Sequence, residues 1–155
     1  MALRMELRET IAAPPERVFA ALTDVDSLPH WMSGLVRIER LTEGPFGKGT
    51  RFREVRRMFG REAAEVFDVV EFDPPRAFAL FVDGRNGSSG KGEFRFRHTL
   101  SPKGGGTELV LSGEIGGMGR IAEFFGRLMC GFMKRAIAKD LAALKAFVEG
   151  GAKPR

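Results

Sequence analysis

The stretch GGMGRIAEFFGRLMCGFMKRAIAKDLAALKAFVE, residues 116–149, decides the fold of this chain. After the glycine-rich start, residues 120–149 are rich in apolar side chains and contain no proline, which predicts one long helix. A helix of about 30 residues is ~45 Å long, more than the width of a domain of this size. We therefore expect the helix to lie across the sheet that the preceding residues form, with a cavity between the two.

Seven strand-like segments precede this helix. In the first, residues 3–11, apolar Leu3, Met5 and Leu7 alternate with charged residues, which is typical of a half-buried strand. Clusters of Gly, Pro, Asn and Asp separate the others and favour hairpins in an antiparallel meander. These six segments are residues 35–41, 50–58, 61–72, 76–82, 91–100 and 107–115.

Two short helices are predicted between the first and second strands. Prolines are tolerated in a first helical turn, so Pro14 and Pro15 fit the start of a helix that ends at Thr23. Asp24 is placed to cap a second helix, which would continue to Leu28 and end at Pro29.

The composition predicts a single domain. The chain has 155 residues and 43% hydrophobic content, enough for one core in residues 1–149, followed by a flexible tail at 150–155. The net charge is +5, but acidic and basic residues alternate along the chain, so we do not expect a nucleic-acid partner. Cys130 is the single cysteine, which excludes an intrachain disulfide and favours a small core residue in a reducing compartment.

Targeting, membrane and metal signals are weak. The first ten residues lack the apolar run of a signal peptide, and Glu123 and Arg127 interrupt the most apolar part of the helix, so we predict a cytoplasmic protein without membrane insertion. Two histidines and one cysteine make no convincing zinc set, so no metal and no cofactor is expected. Glycines 104–106 precede a strand, which excludes a phosphate loop there.

Five short segments resemble one known family. They are APPERVFAALTD (13–24), LPHW (28–31), GKGT (47–50), VEFDPPR (70–76) and DLAALKAFVE (140–149). Together they resemble the polyketide cyclase/dehydrase branch of the START-like (SRPBCC) superfamily. The resemblance implies an α+β helix-grip fold like that of the birch-pollen allergen: a curved seven-stranded antiparallel sheet around a long C-terminal helix, with two short helices after the first strand. It also implies a small hydrophobic ligand such as a lipid, quinone or polyketide, but assigns no catalytic residue.

The inward face of the sixth strand supplies the first candidate site residues. Phe94, Phe96 and His98 share one face, while the residues between them are charged or polar. This places His98 at the edge of the expected cavity, where a neutral imidazole can exchange a proton or orient a ligand oxygen. The alternative is a core histidine with no role in binding.

The third strand supplies a charged pair. If Phe52 and Met58 point inward, the period of two carries Glu54 and Arg56 inward with them. A buried charge is costly unless it is paired, so these residues would bind each other or a polar ligand. Exposure on an edge strand is the alternative.

The long helix is expected to complete the cavity. Met129, Phe132 and Met133 are predicted to face inward as adaptable apolar lining, and the apolar stripe of the first half is centred near Phe125 and Leu128. The stripe then shifts along the helix, which predicts different neighbours for its two halves and a cavity mouth at the first half. Asp140 lies at or beside the stripe, so it either reaches into the far end of the cavity or is a surface group paired with Lys139 or Lys145, and we favour the surface position.

Three functions remain open from the sequence. The first is binding of a small hydrophobic ligand between sheet and helix. The second is a cyclase or dehydrase in which His98 is the acid/base and Arg56 holds a developing enolate or carboxylate. The third is a protein-interaction or chaperone module with an apolar patch around Phe124 and Phe125. We expect a monomer or homodimer, with Phe124 as the candidate dimer contact.

Overall fold

The computed structural model describes residues 3–117 and 119–150, without the side chains of residues 121–125 and 129. The predictions about the tail beyond Gly150 and about Phe124, Phe125 and Met129 therefore lie outside the described residues. The strands are β1 Leu3–Ile11, β2 Leu35–Arg40, β3 Arg51–Met58, β4 Arg61–Asp73, β5 Ala77–Asp83, β6 Glu93–Lys103 and β7 Gly106–Gly116. The α-helices are α1 Pro15–Thr23 and α2 Gly119–Glu149, and short 3₁₀ helices span Leu28–His30 and Gly84–Asn86.

The strands form one antiparallel sheet in the order β1-β7-β6-β5-β4-β3-β2. Strands β2 to β7 follow one another as a meander, and β1 joins its far end by pairing with β7 from Leu3↔Ile115 to Ile11↔Thr107. The predicted α+β helix-grip fold is confirmed. All seven predicted strands are present, with ends shifted by at most a few residues.

The second short helix is present, but its predicted cap at Asp24 and end at Pro29 were wrong. Asp24 instead closes a local turn, in which its carboxylate accepts hydrogen bonds from the Asp26 amide at 3.1 Å and the Ser27 hydroxyl at 2.7 Å. The helical segment begins at Leu28, and Pro29 lies in its first turn. A proline ring has the φ that a first turn needs, so Pro29 starts this segment and does not end it.

The main core lies between α1, the C-terminal half of α2 and the β1, β5, β6 and β7 strands. Its most deeply buried side chains include Ile11, Val18, Phe78, Leu109 and Leu144. A second cluster contains Met5, Val82, Phe94 and Ile115, and Cys130, Met133 and Ile137 of α2 pack against it. Cys130 is thus a partly buried packing residue, as the sequence predicted.

A single continuous stripe of α2 faces the sheet. It consists of Gly126, Cys130, Met133, Ile137, Leu141, Leu144 and Val148, which recur every three or four residues. The predicted centre of the first half at Leu128 was wrong, because the inward positions Gly126 and Cys130 carry small residues, whereas the two halves do have different neighbours, the second cluster and the main core. A Cβ added at Gly126 would lie 2.5 Å from Leu3 Cδ1, so glycine allows the helix to approach β1 closely.

The larger apolar residues of this half lie outside the stripe. Leu128 is 79% exposed and Phe132 41% exposed, which corrects the prediction that both face inward. Leu144, in contrast, has no exposed surface. The second half of α2 therefore supplies most of the side-chain burial that holds the helix to the main core.

This asymmetry predicts unequal effects for one substitution on the same helix. Leu144→Ala is expected to lower the free energy of unfolding by ~3 kcal/mol, since it leaves a cavity in a close-packed core. Leu128→Ala is the matched control and is expected to change it by less than ~0.5 kcal/mol. Urea denaturation followed by circular dichroism measures both, and similar losses would show that the first half is packed as tightly as the second.

Candidate functional site

A buried charged cluster joins α2 to the β2–β3 side of the sheet. Arg56 Nη1 donates to Asp140 Oδ2 at 2.7 Å, and Arg56 Nε donates to Glu54. The other Asp140 oxygen, Oδ1, accepts hydrogen bonds from the Ser33 amide at 3.0 Å and the Ser33 hydroxyl at 2.9 Å. We call Glu54, Arg56, Asp140 and Ser33 the latch, because they connect the helix to the end of the sheet farthest from β1.

The sequence prediction for Asp140 was wrong, whereas the inward orientation predicted for the charged pair was right. The Asp140 side chain is only 7% exposed, and its partners are Arg56 and Ser33, not a lysine. The side chains of Glu54 and Arg56 are 11% and 24% exposed. Position 140 directly precedes Leu141 of the inward stripe, so counting back from the well-packed Leu144 would have placed Asp140 near the sheet.

Burial and charge act in opposite directions within the latch. Burial raises the pKa of the Glu54 carboxyl, although Arg56 opposes the effect, so Glu54 binds a proton more readily than an exposed glutamate. Burial also disfavours the charge of Arg56, but Glu54 and Asp140 outweigh it and raise the Arg56 pKa. Arg56 thus stays charged, and two carboxylates offset that charge.

A third carboxylate, which the sequence analysis did not single out, lies beside the latch. Glu65 of β4 is directly opposite Glu54 in the strand register, so both side chains are on the inner face. Glu65 Oε1 accepts a hydrogen bond from the Ser89 amide at 2.8 Å and another from the Ser89 hydroxyl. Its other oxygen, Oε2, is buried and has no hydrogen-bond partner among the described residues.

His98 lies apart from this cluster. Its strand, β6, is three positions from β3 in the sheet, which corresponds to ~14 Å of strand spacing. One row of paired residues crosses β3, β4, β5 and β6 and consists of Phe52, Phe67, Val82 and Phe94. Glu54 lies on the side of this row that is nearer the β3–β4 turn, whereas His98 lies on the other side. The structure therefore does not bring His98 together with Glu54 and Arg56, which removes the convergence that the enzyme hypothesis needed.

The surroundings of His98 are those of a core residue. Its ring stacks on Phe78 with centroids 4.3 Å apart, and its Nδ1 atom is buried without a hydrogen-bond partner among the described residues. Burial lowers the pKa of His98 to about 3. The imidazole is consequently neutral at physiological pH and a poor proton acceptor.

The apolar candidates divide between two environments. Phe94 is buried in the second cluster, and Phe96 and Met133 pack against that cluster. Phe132 instead stacks on Phe59, the residue at the β3–β4 turn, with ring centroids 4.9 Å apart. This stack and the latch both join α2 to the part of the sheet around β3 and the β3–β4 turn.

The cavity expected between sheet and helix does not appear among the clefts found in the described residues. Two surface clefts are found elsewhere, of about 330 Å³ beside α1 and Phe46 and about 270 Å³ beside the β6–β7 turn. Neither cleft contains a predicted site residue. In the described ranges, no cluster of His, Cys, Asp and Glu has the arrangement of a metal site, and no helix is long and apolar enough to cross a membrane.

The latch predicts a strong effect of an isosteric substitution. Asp140→Asn preserves the shape of the side chain but removes the charge that offsets buried Arg56, so the free energy of unfolding should fall by ~3 kcal/mol. The control is Glu71→Gln, which removes the charge of the exposed partner of Arg97 and should cost less than ~1 kcal/mol. Equal effects in urea denaturation would show that the latch is solvated.

His98 predicts a pH dependence of stability. Its pKa is lower in the folded than in the unfolded chain, so the unfolded state binds more protons between about pH 3 and pH 6.5, and stability falls as the pH falls through this range. From pH 7 to pH 5 the loss should be ~2 kcal/mol. His98→Phe should abolish this part of the loss, while His30→Phe, at an exposed position, should retain it. Identical pH profiles for wild type and His98→Phe would contradict the assignment.

Known proteins resemble this chain in sequence and in structure. The sequence profile of the family described as polyketide cyclase/dehydrase and lipid transport matches residues 2–149. No curated protein sequence matches the chain. Among solved structures, protein TTHA0849 from Thermus thermophilus has a TM-score of 0.79 at 21% identity and covers 97% of this chain and 100% of its own.

Two further structures have the same fold. Ara h 8.0201 has a TM-score of 0.76 at 19% identity, with coverage of 96% of this chain and 98% of its own. Protein SA2116 from Staphylococcus aureus has a TM-score of 0.78 at 13% identity, covering 99% and 98%. At these identities the likeness establishes the fold alone, so the chemistry must be argued from the residues of this chain.

Proposed function

Because the chain belongs to the polyketide cyclase/dehydrase and lipid transport family of the START-like superfamily, we propose that it binds a small hydrophobic molecule between the sheet and α2. Family and fold together suggest hydrophobic ligand binding. The observation that carries the finer proposal is the buried carboxylate-rich cluster of Glu54, Glu65 and Asp140 beside an apolar inner face. An apolar wall with a few converging polar groups is the usual composition of a ligand site.

The ligand would enter on the side of α2 that faces the β3–β4 turn. On the opposite side, Gly126 and Leu3 bring the helix into close contact with β1. Toward the β3–β4 turn, the helix is joined to the sheet by the latch and by the Phe59–Phe132 stack, and this stack is largely exposed. An apolar ligand can separate two stacked rings and replace their contact with its own, so the site would form as the ligand enters.

The apolar part of the ligand would lie against the second cluster. Phe67, Val82 and Phe94 extend this surface across three neighbouring strands, and Met133 packs over it from the helix. Methionine has an unbranched and polarisable side chain, so Met133 can repack around ligands of different shape. Shape alone would therefore give this site little selectivity.

The polar end of the ligand would meet the carboxylates. The carboxyl groups of Glu54, Glu65 and Asp140 outnumber the single guanidinium group of Arg56, so the site disfavours an added anion. Glu65 Oε2 is buried against Gly87 and has no hydrogen-bond partner among the described residues, so a head group that reaches this atom and donates a hydrogen bond would be favoured. The proposed ligand is thus a neutral amphiphile with a hydroxyl group, not a free carboxylic acid.

Matched ligands test the proposal. Dodecanol and dodecanoic acid share a chain length but differ in charge at pH 7, and native mass spectrometry or thermal shift measures their binding. We expect dodecanol to bind at least ~10-fold more tightly, equivalent to ~1.4 kcal/mol. Glu65→Gln should reduce this preference by removing one charge. Tighter binding of the acid would contradict the proposed head group, and binding of neither ligand would count against the site.

A substitution that fills the site tests its position. Met133→Trp adds bulk between α2 and the second cluster and is expected to block ligand binding while the protein remains folded. Leu128→Trp adds the same bulk at an exposed position of the helix and should leave binding unchanged. If the two variants bind ligand equally well, the site lies elsewhere.

A further inference from the structure

Four exposed apolar side chains lie at the side of the protein where α2 meets the β3–β4 turn. Phe59 is 78% exposed, and Leu128, Phe132 and Met58 are also exposed. Phe59 stacks on Phe132, and Leu128 precedes Phe132 by one helical turn on the same face. These residues, which we call the tip patch, therefore form one continuous apolar surface of the kind that marks an interaction site.

The backbone conformation of Phe59 is unfavourable for a bulky residue, yet its phenyl ring is exposed. Phe59 and Gly60 form a two-residue hairpin turn in which both residues have positive φ, 53° and 74°. Asparagine, aspartate and glycine are the residues that suit such a turn. A bulky residue at positive φ is strained, and the exposed ring of Phe59 recovers little of that cost by burial in the core.

The tip patch is surrounded by positive charge. The helix segment 126–139 contains Arg127, Lys134, Arg135 and Lys139 and no acidic residue, and all four cations are exposed. Arg135 and Lys139 follow Phe132 by three and seven residues, so they share its face of the helix. At the β3–β4 turn, the exposed Arg57 and Arg61 flank the tip patch. The acidic residue beside them is Glu62, whose carboxylate lies 3.8 Å from the Arg57 guanidinium group.

We propose that the tip patch docks on the surface of a membrane that contains anionic lipids. Phe59, Leu128 and Phe132 would enter the boundary between head groups and acyl chains, and the surrounding Arg and Lys side chains would contact lipid phosphates. No helix in the described ranges can span a bilayer, so the contact is peripheral. The docking site adjoins the proposed ligand entrance but does not depend on it, since vesicle binding is measurable without a ligand.

The charge and shape of the surface favour a membrane over the other occupants. In a symmetric dimer the same patch of two copies would meet, which would place their cationic borders against each other. A partner protein would need a pocket for the projecting Phe59 ring, whereas the interior of a lipid interface adapts to any apolar projection. An anionic bilayer satisfies both the apolar and the cationic parts of the surface.

Vesicle flotation with the full chain, without added ligand, tests the proposal. The probes are vesicles of phosphatidylcholine alone and vesicles with about 30% phosphatidylglycerol. We expect binding to the anionic vesicles to be at least ~10-fold stronger and to weaken in about 0.5 M salt, because salt screens the Arg and Lys contacts. Equal binding to both vesicles, or no binding to either, would overturn the proposal.

Two variants test the apolar part without disturbing the fold. Phe59→Asn suits the positive φ of the turn, so thermal stability should be retained or increased while anionic-vesicle binding falls ~10-fold. Leu128→Ser should have a similar effect on binding. The controls are Val36→Ser and Leu41→Ser, which remove apolar side chains outside the tip patch that are each 42% exposed, similar to Phe132 at 41%. The proposal fails if the controls weaken binding as much as the tip variants.

Two other outcomes would show that the tip patch binds something other than a membrane. If the wild type sediments as a dimer, Phe59→Asn makes it a monomer, and neither binds vesicles, the patch is a contact between two copies. If the protein binds polyglutamate but not anionic vesicles, the cationic border serves an acidic protein partner. Either result overturns membrane docking.

Discussion

The ion pair between Arg56 of β3 and Asp140 of α2 fixes how the helix lies on the sheet. Packing on β1 and in the main core holds most of the helix, through Gly126 beside Leu3 and through the buried Leu144. Asp140 adds a polar connection to the β2–β3 end of the sheet by binding Arg56 and both donors of Ser33. Burying these charges is costly, so the arrangement persists only while every partner is in place.

This constraint explains where the protein can change shape. On the β1 side, small residues let helix and sheet approach until little space remains, as Gly126 does beside Leu3. On the β3–β4 side, the latch is strong but local, and the neighbouring Phe59–Phe132 stack is exposed to solvent. Opening at that stack would leave the main core intact, and for this reason we propose it as the route by which a ligand reaches the inner face.

Charge is organised differently on the two faces of the sheet. On the outer face, arginines pair with acids of neighbouring strands, as Arg51 does with Asp68, Arg53 with Glu39 and Arg97 with Glu71. These ion pairs are exposed and stabilise the protein little, but their acidic members offset the positive charge of the arginines on the sheet. On the inner face, carboxylates outnumber the single arginine of the latch. Carboxyl groups therefore predominate around the latch, while the positive charge on α2 faces solvent.

The sequence by itself determined the fold class, the seven strands, the long helix and the inward orientation of Glu54 and Arg56. These features depend on local periodicity and on turn residues, which are local in sequence. Only the tertiary structure decided which side of α2 touches the sheet. The sequence pattern favoured Leu128 and Phe132, but the closest approach to β1 requires small residues, so Gly126 and Cys130 face inward. The partnership of Asp140 with Arg56, the separation of His98 from both, and the exposure of Phe59 likewise depend on strand order and helix placement, because residues far apart in the chain meet only after the sheet has formed.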